Sequence, residues 1–281
     1  MLKHIAVGLD GSAHARTAQR LAIALAGRLD AVVHGIHVID AAFLEGAFIT
    51  DISGAMGFEP FLNLQAQMSS TLDEVAEIIR KDFLARCEAE KVRGEFEVAR
   101  AGVTHGLLER GNSADLLVVG QRGVNARFHE GSLGPTTETL LRRSPVPVLV
   151  VPEHAELPCS PLAAYDGSPK AVRALQHAAE FARALALPLE VVTVDEREER
   201  ARARLDDAAA YLAPYALQAR FRSVVGEAVE EELLALLDPT GFDLVFLGAH
   251  GHRRIIELVL GSTSQYLAQR ARVPVYCVTQ H

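Results

Sequence analysis

The residues best suited to chemistry are glycines and small hydroxyl residues that follow a short apolar run. Residues 248–251 read Gly-Ala-His-Gly, and after nine further residues the chain reads Gly261-Ser262-Thr263. Glycine lets backbone N–H groups approach a ligand closely, and a helix beginning at Gly261 would direct unpaired N–H groups and its dipole at an anion. The spacing predicts a phosphate cradle to which Ser262 and Thr263 add hydroxyl donors. The simpler alternative is that these glycines mark turns and that Ser262 only caps a helix.

Two other kinds of loop are expected beside this cradle. Asp10-Gly11-Ser12 and Asp166-Gly167-Ser168 each follow an apolar run near the start of one half of the chain. The next apolar run in each half ends near Val38 and near Val194. Ligands of open α/β sheets bind beyond the carboxyl ends of the strands. We therefore expect these loops and the cradle to face the same ligand.

Histidines and arginines flank the glycines of the cradle loops. His250 and His252 bracket Gly251, but no carboxylate or cysteine stands beside them at the spacing of metal ligands. We assign no metal site, and His250 contacts either a phosphate, an adenine edge or solvent. Arg122 and Arg253 either neutralise phosphate charge or are surface residues beside a loop.

The chain contains an internal repeat. Residues 5–40 are echoed by 161–195 at an offset of 156, and residues 114–123 are echoed by 242–251 at an offset of 128. The first copy therefore carries about 28 extra residues, which we assign to 41–70. This segment is too apolar to remain in water, so it is expected either as a cap packed on the other domain or as a lid over the first site.

Short apolar runs alternate with longer helical patterns in both copies. Ser12 and Ser168 stand where the first helix of each copy should begin, and a long helix is predicted from about Ser70, with a capping-box pattern at 71–74. The mixed charges of 195–207 indicate a solvated helix face or a docking surface. The alternation predicts the α/β class: two tandem, doubly wound, five-stranded parallel-sheet domains of the Rossmann-like type.

The predicted boundaries follow from the repeat and from a proline-containing linker. The first domain is expected at 1–152, the linker at 153–160 and the second domain at 161–281.

Composition excludes several classes of protein. The 281 residues carry a net charge of −8 without a Lys/Arg block, which argues against a nucleic-acid partner. No run approaches the ~18 apolar residues of a membrane span, and a polar turn interrupts the N-terminal apolar run, so neither membrane insertion nor secretion is expected. Cys87, Cys159 and Cys277 are far apart and form no CxxC pair. They predict neither a disulfide framework nor a zinc site, and a cytoplasmic location is expected.

The ordered motifs resemble those of the universal stress protein family. They are a strand, Asp-Gly-Ser and a helix, then G-x2-G-x9-G-[S/T], and finally a closing helix that runs into x-V-P-V. The resemblance covers both halves apart from 41–70 and the linker. It implies two universal stress protein folds in tandem, with ATP as the cofactor, with or without Mg²⁺. It also implies an internal pseudo-dimer paired through 146–151 and 273–278, and leaves room for a further homodimer.

The second copy fits the family's ATP-binding pattern. By this resemblance Asp166 should lie near the nucleotide and the backbone of Val194 should meet the adenine. The residues expected to bind the cofactor there are Asp166, Gly167, Ser168, Val194, Gly248, His250, Gly251, Arg253, Gly261, Ser262 and Thr263.

The first copy departs from the pattern at the cradle. Ten residues, one more than in the motif, separate Gly123 from Gly134, and Pro135 stands at the hydroxyl position. Proline has neither a hydroxyl nor an N–H, so Ser132, Thr136 or Thr137 would have to substitute. Nucleotide binding is expected to be weaker, different or absent in this copy. Its candidate residues are Asp10, Gly11, Ser12, Val38, Gly120, Arg122, Gly123 and Gly134.

The expected function is an adenine-nucleotide-binding regulatory or sensing module in stress adaptation. A Walker sequence and a G-x-G-x-x-G after the first strand are both absent. Enzyme activity needs a positioned base or nucleophile, and Asp166 alone is thin support, so no catalytic residue is assigned. The alternatives are a slow ATP hydrolase and an interaction module with vestigial nucleotide sites.

Overall fold

The structure is a computed structural model that describes residues 2–40, 61–124, 131–238, 240–249 and 260–279, with side chains from residue 67 onward in the second segment. Most of the predicted insertion, and the cradle-loop residues His250, Gly251 and Arg253, lie outside these ranges.

The first copy alternates strands and helices as predicted. Its strands are β1 (His4–Gly8), β2 (Val32–Asp40), β3 (Gly94–Ala101), β4 (Leu116–Gly120) and β5 (Val148–Val151). Its helices are α1 (Ala13–Leu29), α2 (Phe61–Ala89), α3 (Val103–Gly111) and α4 (Pro135–Arg143).

The second copy repeats the order. Its strands are β6 (Pro161–Ala164), β7 (Leu189–Asp195), β8 (Ala219–Val225), β9 (Leu244–Gly248) and β10 (Val275–Val278). Its helices are α5 (Pro169–Leu185), α6 (Glu198–Leu212), α7 (Val229–Leu236) and α8 (Ser262–Arg270), with a short 3₁₀ turn at Ala213–Tyr215.

Within the described residues the strands form one ten-stranded sheet. The first copy has the order β3-β2-β1-β4-β5 and the second β8-β7-β6-β9-β10, with every pair inside a copy parallel. Each half is a doubly wound unit, because the chain leaves β1 or β6 toward one edge and returns to the other side of it. The predicted fold class is confirmed.

The two halves join through β5 and β10, which pair antiparallel. Leu149 faces Tyr276 in this pairing, and these residues hold equivalent positions in the two copies, so the pseudo-two-fold axis passes between them. Tyr276 is 1% exposed, its ring centroid lies 4.6 Å from that of Phe246, and its hydroxyl lies 3.2 Å from Nδ1 of His177. The predicted pairing of the last strands is confirmed.

The sheet is covered by helices on both faces. Ile5 and Val7 of β1 pack into a buried cluster that includes side chains of α1, α2, α5 and α6. Ala6, between them, packs into a second cluster with α3, α4, α7 and α8. Successive strand residues are therefore apolar because they alternate between two buried faces. Each cluster contains residues of both copies, so the core is continuous across the pseudo-dimer.

Helix α2 differs from its prediction. It begins at Phe61 and not near Ser70, since 61–70 contains no glycine or proline that would stop a helix. The capping-box interpretation was wrong, because the Thr71 hydroxyl donates to the carbonyl of Gln67 at 2.9 Å inside the helix.

Residues 153–155, which follow β5, run over the first helix. The Thr17 hydroxyl donates to the carbonyl of Glu153 at 2.6 Å, and the Arg20 guanidinium donates to that of Ala155 at 2.8 Å. Across the described ranges, no helix is long and apolar enough to cross a membrane.

Candidate functional site

The two Asp-Gly-Ser turns have the same geometry. Gly11 and Gly167 have φ of 78° and 79°, which glycine adopts without strain. In each turn the aspartate Oδ1 accepts the serine N–H at 2.9 Å, and the serine Oγ accepts the N–H three residues onward at 3.1 Å. The predicted caps at Ser12 and Ser168 are confirmed, and each aspartate is fixed at the carboxyl end of its strand.

In the first domain, Asp10 joins two of the predicted loops. Its Oδ2 accepts the N–H of Val124 at 3.0 Å, and a Cβ added to Gly123 would lie only 2.7 Å from that oxygen. A side chain at residue 123 would therefore displace the Asp10 carboxylate. Arg122 turns back on its own loop, where its Nε donates to the carbonyl of Ser132 at 3.0 Å.

In the second domain, the start of α8 is fixed against the end of β9. The Gly261 N–H donates to the carbonyl of Ala249, and the Ser264 hydroxyl donates to the carbonyl of Gly248, both at 2.8 Å. Gly261 is the N-cap and supplies no side-chain hydrogen bond, so the N–H groups of the first helical residues have no capping acceptor from it. Ser262, at the first helical position, is exposed, and Thr263, at the second, is half-buried. This donor set suits phosphate oxygens.

The first domain has the same scaffold with one donor fewer. Gly134 N–H donates to the carbonyl of Gln121 at 3.1 Å, and the Thr137 hydroxyl donates to that of Gly120 at 2.8 Å. Thr137 is therefore the counterpart of the scaffold serine in α8, and the idea that its hydroxyl substitutes at the ligand was wrong. Pro135, at the first helical position, has no N–H to offer.

Two of the predicted cradle glycines serve helix packing. A Cβ on Gly120 would lie 2.8 Å from Cβ of His14, and a Cβ on Gly248 would lie 2.7 Å from Cβ of Lys170. Real Cβ atoms do not approach this closely. The first helix of each domain therefore packs directly on the backbone of these two glycines. A ligand role for these two glycines stays a prediction.

Gly248→Ala is expected to lower the free energy of unfolding by about 1–3 kcal/mol. The new Cβ would also lie 3.0 Å from the backbone carbonyl carbon of Lys170, so relief needs a shift of the helix. Gly102→Ala is the control, because the added Cβ meets no described atom within 4 Å; Gly102 is the N-cap of α3, so this change should cost at most about 1 kcal/mol. Urea unfolding of both variants measures the difference, and equal effects would contradict this packing role.

The ends of the second strands are tied to the ends of the first. Val38 is half-buried and Val194 is buried. Nδ1 of His37 lies 2.7 Å from the carbonyl that follows β1, and the Thr193 hydroxyl donates to the carbonyl that follows β6, also at 2.7 Å. These equivalent bonds hold the strand ends where the resemblance expects the adenine, and the contact of the valine backbones with a nucleotide stays a prediction.

Sequence reasoning missed an ion pair beside the second site. Asp195 is buried, and its Oδ2 accepts from the Arg204 guanidinium at 2.9 Å. The Arg204 side chain lies 3.8 Å from the Cβ position of Gly167, whereas in the first domain Ile79 lies 3.7 Å from that of Gly11. Both residues belong to the charged run interpreted as solvated, which is wrong for this pair. The position of the run directly after β7 was the available signal.

Comparison with known proteins decides the family. The family model described as "Universal stress protein family" matches residues 1–152 and 162–279. The chain belongs to the universal stress protein family. It contains two copies of the family's domain, as the repeat and the sheet require.

Relatives of this universal stress protein are similar over nearly its full length. A universal stress protein of Synechocystis sp. is 29% identical, covering 98% of this chain and 99% of that one. One of Mycolicibacterium smegmatis is 29% identical over 98% of this chain and 96% of its own. The crystal structure of a universal stress protein from Archaeoglobus fulgidus superposes with a TM-score of 0.75 at 19% identity, covering 99% and 98%, which supports the fold.

Ionisable groups beside the candidate sites differ between the two domains of this universal stress protein. Burial lowers the pKa of His14 below its ordinary value, opposed in part by the Glu153 carboxylate, and its Nδ1 has no hydrogen-bond partner among the described residues. At the equivalent position in the second domain, burial and then the charge of Arg173 lower the pKa of Lys170. The second domain therefore carries two basic side chains, Lys170 and Arg204, packed against its site.

We expect this universal stress protein to lose stability as the pH falls below about 6.5. Burial lowers the pKa of His14 and of His177 in the folded state, so below 6.5 the unfolded chain takes up protons that the folded chain does not. The contribution of the two neutral histidines to the free energy of unfolding is present above pH 6.5. It is lost as the pH falls toward their pKa values in the folded state. His14→Gln should flatten the fall in unfolding free energy between pH 7 and 5, whereas the exposed His105→Gln should not. Equal slopes would contradict the burial argument.

The described part of this universal stress protein offers a ligand backbone N–H groups and single charged side chains. In that part, groups of three or more His, Cys, Asp or Glu side chains that could hold a metal ion are not found. Cys87, Cys159 and Cys277 are unpaired.

Proposed function

We propose that the second domain binds an adenine nucleotide, ATP in the first instance, with its phosphates at the start of α8. The observation that carries this proposal is the helix start at Gly261, which has no side-chain cap among the described residues and is anchored to Ala249 by a 2.8 Å hydrogen bond. An anion there would satisfy the first N–H groups of the helix and interact with its dipole. The donor set fits a triphosphate, and Mg²⁺ would reach it through phosphate oxygens.

Charge and loop placement support the same proposal. The ion pair with the buried Asp195 places the half-buried Arg204 beside the Asp166-Gly167-Ser168 turn, and the Cβ and backbone of Lys170 pack against the end of β9. Lys170 is a cation in a chain whose net charge is −8, whereas Asp195 balances the charge of Arg204. His250, Gly251 and Arg253 belong to the proposed site through the spacing of the motif.

The first domain is the weaker site in this proposal. Pro135 removes a donor at the helix start.

The proposed role is regulation or sensing in stress adaptation. Nucleotide can change the protein's behaviour only if it binds one conformational state more tightly than another. We place this role in the cytoplasm. The proposed domain boundaries are 1–152 for the first domain, 153–160 for the linker and 161–281 for the second domain.

Calorimetric titration of the full chain with Mg-ATP, ADP, AMP and adenosine tests the proposal. We expect one site per chain and an affinity that falls as phosphates are removed, because the helix start binds the phosphate chain. Heat from none of the four would favour the interaction module, and adenosine binding as tightly as ATP would contradict the phosphate cradle. Phosphate release over many turnovers in the same samples would establish the slow hydrolase.

A further inference from the structure

The side chain of Gln121 crosses from the first domain into the second. It lies in the glycine loop after β4 and is 6% exposed. Its amide Nε2 donates to the carbonyl of Ala268 at 2.8 Å and to that of Ala271 at 3.2 Å. These carbonyls lie at the C-terminal end of α8, where a helix has no backbone donors left for them. One buried amide therefore caps the helix whose other end is the second cradle.

A second contact joins the same two elements. The side-chain amide of Gln269, in the last turn of α8, donates to the carbonyl of Gly131. Gly131 precedes the start of α4. The first domain's cradle loop therefore contacts the end of α8 on both of its sides, through Gln121 and through Gly131.

The opposite end of α8 is held by its own domain. Gly261 and Ser264 bond to the carbonyls of Ala249 and Gly248. A nine-residue helix is about 13 Å long and moves as a rigid rod. If the first domain shifts the C-terminal end of α8, the N–H groups at its N-terminal end therefore move as well.

Among the described residues, the Gln121 cap has no counterpart at the equivalent position of the other half. Ala249 holds the position equivalent to Gln121, since each N–H bonds the carbonyl at the end of the last strand of its domain. A methyl side chain cannot cap α4 as the Gln121 amide caps α8. The two cradles are therefore structurally inequivalent.

We propose that Gln121 is a positioning residue for the second-domain nucleotide site, and that α8 couples the first domain's glycine loop to that site. This inference rests on the proposed function. By linkage, nucleotide at the start of α8 also stabilises the first loop.

The test compares Gln121→Met with Thr279→Val in the full chain. Methionine keeps the volume of Gln121 and removes its donors. Thr279 is also buried and donates across the interface to Val146 at 2.8 Å, so its side-chain hydrogen bond goes to the first domain and not to α8. Gln121→Met is expected to weaken Mg-ATP binding about three- to tenfold, and Thr279→Val to leave it within about twofold. Equal affinities, or equal losses in both variants, would overturn the proposal.

Hydrogen exchange separates this inference from the proposed function. Without nucleotide, Gln121→Met should accelerate exchange of the α8 amides relative to Thr279→Val, and unchanged exchange would overturn the coupling even if nothing binds. With nucleotide, the Val124 amide should gain protection in the wild type and lose that gain in Gln121→Met. Failure of the wild type to bind any adenine nucleotide would defeat the proposed function, and the ligand-free exchange would still decide the coupling.

Discussion

Gly261→Asp is expected to weaken ATP binding by at least about 100-fold, because a carboxylate beside the phosphates costs several kcal/mol. Gly261 has φ −63° and ψ 145°, a conformation open to any residue. Aspartate there would cap α8 with its own side chain and accept the N–H groups that the phosphates need. The variant should therefore bind less nucleotide, which calorimetry measures, and thermal denaturation checks that the variant is folded.

Gly134→Asp is the matched control, since Gly134 is the N-cap of α4 with φ −62° and ψ 138°. The added Cβ would lie 3.3 Å from both Cα of Arg122 and the backbone carbonyl oxygen of Gln121, a contact that a shift of a few tenths of an ångström relieves. We expect the ATP affinity of this variant to lie within about threefold of the wild-type affinity. Coupling through α8 accounts for a change of that size. Loss of binding in this variant with retention in Gly261→Asp would place the nucleotide in the first domain.

Tyr276→Ala is expected to lower the free energy of unfolding by about 3–5 kcal/mol. Tyr276 is buried where the two halves of the sheet pair, and its ring packs on Phe246 and near His177. Removing it leaves a cavity beside Leu149, at the pseudo-two-fold axis. Chemical denaturation measures the loss.

Tyr276→Phe separates the ring from the hydroxyl. It keeps the packing and removes the 3.2 Å contact with His177, so it should cost about 1–2 kcal/mol. A Tyr276→Ala variant as stable as Tyr276→Phe would contradict the view that this ring stabilises the junction.

Much of the fold could be predicted because the relevant signals are local or repeated. Apolar runs bounded by Asp-Gly-Ser turns mark strand ends, and Ser12 and Ser168 cap helices through residues only three positions away. The start of α2 could not be predicted as well. Thr71 reads as a cap in sequence, but in the helix its hydroxyl bonds back to Gln67, and both outcomes are open to threonine.

The contacts that distinguish the two sites depend on tertiary structure. Gln121 reads as an ordinary loop residue, and its partner Ala268 is 147 positions away. Arg204 reads as part of a solvated run until β7 places Asp195 beneath it. Pro135 was the exception, because the missing N–H of proline is a property of the residue itself.

The most direct test of nucleotide binding by the second domain is the nucleotide that the protein carries when purified without added ligand. The chain is denatured, and released nucleotide is identified and counted by chromatography beside the Gly261→Asp variant. We predict about one adenine nucleotide per wild-type chain and its loss from the variant. Two per chain would contradict the weaker first site, and none per chain, with no heat on titration with Mg-ATP, would contradict the proposed function.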